Sequence, residues 1–432
     1  MGYRIENATV VTCEDNQEVR VLKNATVITD GGEISYVGID PPETKGFTLI
    51  NGTGKALIPG LVNAHTHIPM TLLRSYADDL ELHTWLYQHI FPIEAKLTAD
   101  DIYWGSQLAL LEMIAGGTTC FNDMYYSVDR IAEATATSGL KALLSRGLIN
   151  GAELDDYTND DRLKEAVSVY EQWNGAEEGR IRIALAPHAL YTCAPGYIRT
   201  IRDTAEKLGT IIHTHVDETV KEHNDCLNQY GKTPVKHLYD LGLFDIPTIA
   251  AHCVHVTEGD MDKMKEKNVT FVHNPGSNLK LGSGIAPVPT AMEKGLNVAL
   301  GTDGASSNNN LNMWEELNLS ALIHKGFSLD PLAVKAQDAF RMATVNGAIA
   351  LGFNNSGRIQ EGFRADMVLL DLNSPHYYPD HNLVSNIAYS AQASDVETVF
   401  VDGKILYHKG EYKTLDKERI IHEVNRIHKA LF

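Results

Sequence analysis

Between residues 57 and 345, short runs rich in β-branched residues alternate with stretches long enough for helices, and the alternation repeats eight times. A strand that is followed by a helix returns to its sheet as a parallel neighbour, and eight such units can close on themselves. Strands are expected at Leu57–Ala64, Thr118–Asp123, Ala142–Gly147, Ile181–Ala186, Thr210–His215, Thr248–His252, Val269–His273 and Val298–Gly301. Asp161–Gln172, Tyr197–Leu208, Asp260–Lys267 and Trp314–His324 read as helices between them. The expected fold is a (β/α)8 TIM barrel over residues 56–360. The flanks, residues 1–55 and 361–432, instead carry alternating runs such as 25–29, 34–38, 365–371 and 398–405. Gly31-Gly32 and Asp402-Gly403 are hairpin turns between such runs. Neither end has enough strands for a core of its own, so the two ends are expected to build one small β-sandwich beside the barrel. The C-terminal part is expected to add a terminal helix, and no candidate site residue falls in either part.

A barrel gathers its chemistry at the C-terminal ends of its strands, where the loops converge on one mouth. The strand exits here offer His65 and His67, Asp123, Arg146, His188, His215, His252, His273 and Asp303. One such residue could be a hydrogen-bonded structural group, but six histidines in phase with the strand count read as one site. Side chains alternate along a strand, so His65 and His67 point the same way and can grip one ion from one side. A catalytic zinc centre needs three or four nitrogen or oxygen donors and an open position. His215 is the expected third donor, and Asp303, in Gly301-Thr302-Asp303-Gly304, the fourth. His213 shares the inward face of its strand with His215 and is assigned to packing or to support behind a donor. The fourth strand ends Ala186-Pro187-His188, with no Lys or Glu to bridge a second metal, so one divalent ion is expected.

Such an ion lowers the pKa of its water to about 7. Asp303 can take that water's proton, His252 can hydrogen-bond the water, and Glu218 can deliver a proton to a substrate. The plainer explanation of Glu218 is an acid in the first turn of a helix, where the dipole favours it. Its spacing of three residues from His215 favours the catalytic one.

The formal net charge is −19, from 56 acidic against 37 basic residues, and such a surface repels phosphate backbones and anionic lipid. Nucleic-acid and membrane partners are therefore not expected. Five scattered cysteines without a CxxC pair fit reduced thiols, with Cys253 read as a small buried residue beside His252. The stretch Met1–Asn7 has no apolar core for a signal peptide, and Glu6 stands where N-myristoylation wants Ser or Thr. No apolar run approaches the length of a membrane span. A cytoplasmic protein is the expectation.

Several of these stretches together resemble a known family. Pro59-Gly60-Leu61-Val62-Asn63-Ala64-His65-Thr66-His67, Ala251-His252, Asn274-Pro275-Gly276-Ser277-Asn278 and Gly301-Thr302-Asp303-Gly304 resemble the amidohydrolase superfamily, as does Gly362-Phe363-Arg364-Ala365-Asp366 near the end. The resemblance covers nearly the whole chain. Within the superfamily, Pro69–Arg74 through Trp85-Leu86, Pro92-Ile93-Glu94 and Asn278–Gly284 resemble the S-adenosylhomocysteine/5′-methylthioadenosine deaminases. That resemblance implies metal-dependent hydrolysis of the purine 6-amino group, giving the inosine analogue and ammonia. It implies one divalent metal, zinc foremost, although three histidines and an aspartate also suit iron or manganese. Glu94 matches the acid that binds the ribose hydroxyls, His188 a residue that contacts the purine, and Glu218 the group that protonates N1.

Arg146 and Arg162 match arginines associated with a substrate's amino-acid carboxylate, which guanidinium grips in bidentate fashion. Surface salt bridging explains Arg162 about equally well. The loop 150–161 departs from the pattern: it is long, and Glu153, Asp155, Asp156, Asp160 and Asp161 oppose an anionic tail. A neutral 5′ group, methylthio or plain hydroxyl, therefore stays open. Other readings on this scaffold are a guanine or pterin deaminase and a triazine amino- or chlorohydrolase, against which Glu94 favours a ribosylated substrate. A catalytically inactive relative would be expected to lack donors that are all present here. The oligomeric state, homo-oligomer included, is left open.

Overall fold

The computed structural model describes residues 2–14, 18–43 and 45–432; Met1, the first residue of the stretch Met1–Asn7, lies outside them. Five strands come first: β1 (Tyr3–Cys13), β2 (Val19–Asp30), β3 (Glu33–Gly38), β4 (Thr48–Asn51) and β5 (Lys55–Pro59). Eight follow: β6 (Leu61–Thr66), β7 (Thr118–Tyr125), β8 (Lys141–Leu148), β9 (Ile181–Pro187), β10 (Ile212–Val216), β11 (Thr248–His252), β12 (Thr270–His273) and β13 (Val298–Leu300). The last four are β14 (Met367–Asp371), β15 (Val396–Val401), β16 (Lys404–His408) and β17 (Glu411–Tyr412).

Strands β6 to β13 form one sheet in sequence order, each parallel to the next, as the eight βα units require. The seam between β6 and β13 is joined by the Asp303 N–H donating to the His65 carbonyl at 2.9 Å and by Thr302 N–H donating to Asn63 Oδ1 at 3.0 Å. The helices Asp161–Trp173, Pro195–Leu208, Glu258–Glu266 and Met313–Ser328 lie where helical stretches were expected. Leu143, Ala184, Ile249, Val272 and Ala299, from β8, β9, β11, β12 and β13, pack together and help fill the barrel with side chains.

The remaining nine strands make a mixed sheet from both chain ends, in the order β17-β16-β15-β14-β5-β1-β2-β3 with β4 beside β1. The two ends meet where β5 and β14 pair antiparallel, Ile58 opposite Val368. Gly31 and Gly32 have φ of +58° and +91°, and Asp402 and Gly403 +47° and +68°, so both hairpins turn through left-handed residues. Ile5, Val10, Val27, Leu57, Met367, Leu369 and Phe400 form its core, each worth roughly 1.5–3 kcal/mol when fully buried. The terminal helix Lys417–Leu431 buries Ile420 and Ile427. Buried Lys141, at the start of β8, pairs with Asp366 at 2.5 Å and Asp402 at 2.8 Å, an ionic junction between barrel and sheet.

One expected strand is divided. Leu57–Ala64 reads as a single run, but the chain leaves the mixed sheet at Pro59 and enters the barrel at Leu61. Gly60 makes the transfer, its N–H donating to the Asp366 carbonyl at 2.9 Å while Leu61 N–H donates to Gly117 at 3.0 Å. A Cβ at Gly60 would stand 2.0 Å from Thr119 Oγ1, so only glycine lets the two sheets approach here. Among the described residues no helix is long and apolar enough to cross a membrane.

Candidate metal and catalytic site

At the C-terminal mouth of the barrel, β6, β10 and the loop after β13 bring four donors to one point. His65 Nε2 lies 3.4 Å and His67 Nε2 3.2 Å from Asp303 Oδ1, and His215 Nε2 lies 3.3 Å from His67 Nε2. The donor atoms of His65, His67 and Asp303 fall within 4.8 Å of one another, as do those of His65, His215 and His252. The other ring nitrogens are tied down. His67 Nδ1 donates to the Met124 carbonyl at 2.6 Å and His215 Nδ1 to the His188 carbonyl at 2.7 Å. A carbonyl only accepts, so in the neutral rings the free lone pair is on Nε2 and faces the common point. His65 Nδ1 instead lies 2.8 Å from His213 Nε2, which puts His213 behind a donor rather than among the donors.

Asp303 Oδ2 accepts from Ser277 Oγ at 2.6 Å and Ser307 Oγ at 2.8 Å, leaving Oδ1 toward the histidines. Burial would raise its carboxyl, but the hydrogen bonds and charges of His65 and His67 hold it well below the usual carboxylate range. Burial lowers His65 to about 3 and His215 well below its ordinary value, which keeps both imidazoles neutral. Burial also works to lower His67, yet Asp303 outweighs it and draws the ring up to about 9. The pocket thus attracts a positive charge. His65 Nε2 is buried without a hydrogen-bond partner, a vacant lone pair aimed at the place where a cation would sit. Three nitrogens and one oxygen fit a divalent ion.

Two strand-exit residues do not join this cluster. Asp123 Oδ1 accepts from the Ile68 N–H at 2.6 Å and Thr66 Oγ1 at 3.0 Å, holding the turn that follows His67. His273 Nε2 meets His324 Nε2 at 3.2 Å on the outer, helix side. The cause is strand parity: Met124 lines the mouth and Val272 packs in the barrel interior, so Asp123 and His273, one residue earlier and later, face the other way. His252 escapes the same rule. Ala251 precedes it on β11, but His252 takes φ +72°, a left-handed conformation that swings its ring into the mouth. Asn278 Oδ1 holds His252 Nδ1 at 2.9 Å, and His252 Nε2 faces Glu218 Oε2 at 3.9 Å. Asp303 is left-handed too, at φ +63°, and non-glycine residues held this way cluster at functional sites.

The donors open into a cavity of about 530 Å³ that His67, His188, His215, Glu218, His252, Asp303, Glu94, Arg146 and Arg162 all line. Its walls are otherwise largely apolar and aromatic, with Trp85, Leu86, Phe91, Tyr126 and Tyr191 among them. Glu218 is buried, which raises its carboxyl above the ordinary range, and Ser283 Oγ stands 3.5 Å from Oε1. Glu94 lies under the cavity wall, where burial pushes it up to about 7 against the hydrogen bond of the Tyr125 hydroxyl. His188 is lowered by burial to about 3, and its Nδ1 lies 3.0 Å from Thr192 Oγ1.

Arg146 Nε pairs with Glu165 at 2.9 Å, while the guanidinium of half-exposed Arg162 lies 3.8 Å from Asp160. Of the five acids in the loop 150–161, none lines the cavity. Asp160 instead caps the helix Asp161–Trp173 and accepts the Tyr197 hydroxyl at 2.8 Å. Sequence reasoning missed Tyr125, Asn278, Ser277 and Ser307 as partners of site residues. Only Asn278 and Ser277 stood in a motif that could have drawn attention to them.

The model of the Amidohydrolase family matches residues 56–406. A 5-methylthioadenosine/S-adenosylhomocysteine deaminase of Caldanaerobacter subterraneus subsp. tengcongensis is 48% identical, over 99% of this chain and 98% of that protein. A protein of the same description from Dictyoglomus thermophilum is 52% identical over 88% of each chain. Among solved structures, an adenosine deaminase from Xanthomonas campestris with bound zinc superposes with a TM-score of 0.93 at 35% identity, over 99% of this chain and 98% of its own.

Proposed function

This chain belongs to the amidohydrolase family, and we propose that it is a metal-dependent hydrolytic deaminase of adenosine-type nucleosides. S-Adenosylhomocysteine and 5′-methylthioadenosine are the leading substrates, with adenosine and 5′-deoxyadenosine within the same reading. One observation carries it: a buried acid (Glu218), a left-handed histidine (His252) and the donors His67, His215 and Asp303 line a single cavity with Glu94. A cavity of about 530 Å³ is within the range of small-molecule sites.

His65, His67, His215 and Asp303 would hold the ion, which we take to be zinc. Bound there, it would supply Lewis acidity that makes hydroxide available near neutral pH. Asp303 accepts the attacking water's proton, and His252, fixed by Asn278, directs that water through Nε2. Glu218 gives its proton to N1, so that the ring can take up electrons as the C6–O bond forms. The proton held by Asp303 then passes to the departing amino group and the C6–N bond breaks; the new C6 hydroxyl gives up its proton as C6=O forms, which restores the proton of Glu218, and water has been exchanged for ammonia. His188 flanks the purine, and Glu94 accepts from the ribose hydroxyls through the oxygen that Tyr125 leaves free. Arg146 and Arg162 face a 5′ carboxylate where the substrate has one. A reducing, cytoplasmic setting fits the five cysteines, all of them buried and unpaired.

Metal-loaded protein assayed side by side on S-adenosylhomocysteine, 5′-methylthioadenosine, adenosine and guanine should convert the adenosine compounds, read by the adenine-to-hypoxanthine ultraviolet change and by ammonia. Silence on all three adenosine compounds with metal bound would overturn the reading and turn the search to guanine, pterins and triazines. Glu94→Ala should raise KM for the ribosides about 10- to 100-fold, since hydrogen bonds to a charged group are worth about 1.5–3 kcal/mol. The same rise with free adenine as competing ligand would count against ribose recognition.

A further inference from the structure

Next to Glu218 lies a second buried carboxylate, Glu222, that the proposed chemistry does not use. The geometry points to Glu222 as the residue that positions Glu218, by holding two successive backbone N–H groups at its base. Glu222 stands in the first turn of the helix Val220–Tyr230, with Thr219 as the capping residue. In an ordinary capping box the cap hydroxyl accepts from the third helical N–H, and that residue's carboxylate reaches back to the cap's own N–H. Here the first half is present, with Glu222 N–H donating to Thr219 Oγ1 at 3.1 Å. The second half is not: the carboxylate passes Thr219, Oε1 accepting from Asp217 N–H at 3.1 Å and Oε2 from Glu218 N–H at 2.9 Å.

Helix capping alone does not call for that grip. Strand β10 ends at Val216, so the sheet ladder no longer holds the two residues after it. Asp217 adopts φ +52°, and successive N–H groups at such a turn make a concavity that takes the two carboxyl oxygens of Glu222; burial raises that carboxyl to about 8 against the lowering effect of both N–H groups. The Asp217 carboxylate is turned elsewhere, to His223 Nδ1 at 2.9 Å. Among the described residues the Glu218 carboxyl itself has only long contacts, 3.5 Å to Ser283 and 3.9 Å to His252. Its place is therefore set through its main chain, and an error of about 1 Å in a reacting group can cost about 100-fold in rate.

This inference rests on the reading of Glu218 as the proton donor, and the test separates the two. Glu222→Ala and Glu222→Gln are made in the full-length, metal-loaded protein, alone and together with Glu218→Gln. Glu222→Ala should lower kcat about 100-fold with KM and metal content within about threefold of the parent. Glu222→Gln keeps one acceptor oxygen but sets an amide N–H against the other backbone N–H, so its kcat should fall between. On top of Glu218→Gln, either change should lower kcat by less than about twofold, because nothing is left to position. A kcat for Glu222→Ala within about threefold of the parent would overturn the proposal, as would an equal loss in both backgrounds, the mark of a purely structural role. If Glu222→Ala fails to fold, the near-isosteric Gln variant carries the same comparison. Unchanged turnover in Glu218→Gln alone would overturn the Glu218 reading, and this one with it.

Discussion

Glu218→Gln is expected to lower kcat by about 10²–10⁴-fold while metal content stays at the parent level. The amide keeps the size and the acceptor oxygen of the carboxyl but has no proton to give. Burial raises the Glu218 carboxyl, so it parts with its proton at a higher pH than an exposed acid would. Its contact with Ser283, 3.5 Å away, can survive in the variant. Glu218 belongs to neither group of side chains that could hold an ion, so the variant should retain it. KM should change little, because the expected anchor of the nucleoside is Glu94. Elemental analysis beside steady-state kinetics decides the matter, and full turnover would remove Glu218 from the role.

Asp303→Asn is expected to cost both metal and turnover, kcat falling by about 10³-fold or more. Asp303 offers Oδ1 to His65 and His67 while Oδ2 accepts two serine hydroxyls. An asparagine that keeps its oxygen toward the histidines turns its NH2 to Ser277 and Ser307, whose hydroxyls must then accept instead of donate. The loss of charge matters as much, since the Asp303 carboxylate is the negative charge among the four side chains that would hold the ion. Metal content should fall after dialysis without added metal, and excess zinc should restore occupancy without restoring turnover. Full occupancy together with turnover within about tenfold of the parent would contradict both the donor and the base assigned here.

The barrel was legible because its signal is repeated: eight alternations fix strand order, and the strands pair in that order. The break at Gly60 was not legible, since Ala56 to Ala64 is one apolar run and only the crowding of Thr119 against Gly60 reveals the transfer between sheets. The convergence of His65, His67, His215 and Asp303 could be anticipated from parity and strand ends. Parity also explains what went wrong, because a residue at a strand's last position faces in or out according to one step of register. Asp123 and His273 fall on the wrong side of that step, whereas His252 is carried across it by a left-handed φ of +72° that no pattern in the sequence announces. The partners that hold the site, Tyr125 for Glu94 and Ser277 for Asp303 among them, come from other strands and loops. Pairings of that kind exist only after folding.

His67 and His215 are aimed by the carbonyls of Met124 and His188, and a main-chain oxygen survives whatever side chain its residue carries. The aim of those two rings belongs to the fold itself and is out of reach of point mutation at the supporting positions. His65 alone leans on another side chain, that of His213. Natural drift or laboratory selection that seeks to retune this centre without discarding a donor therefore has one dial among its three histidine supports, and it is position 213.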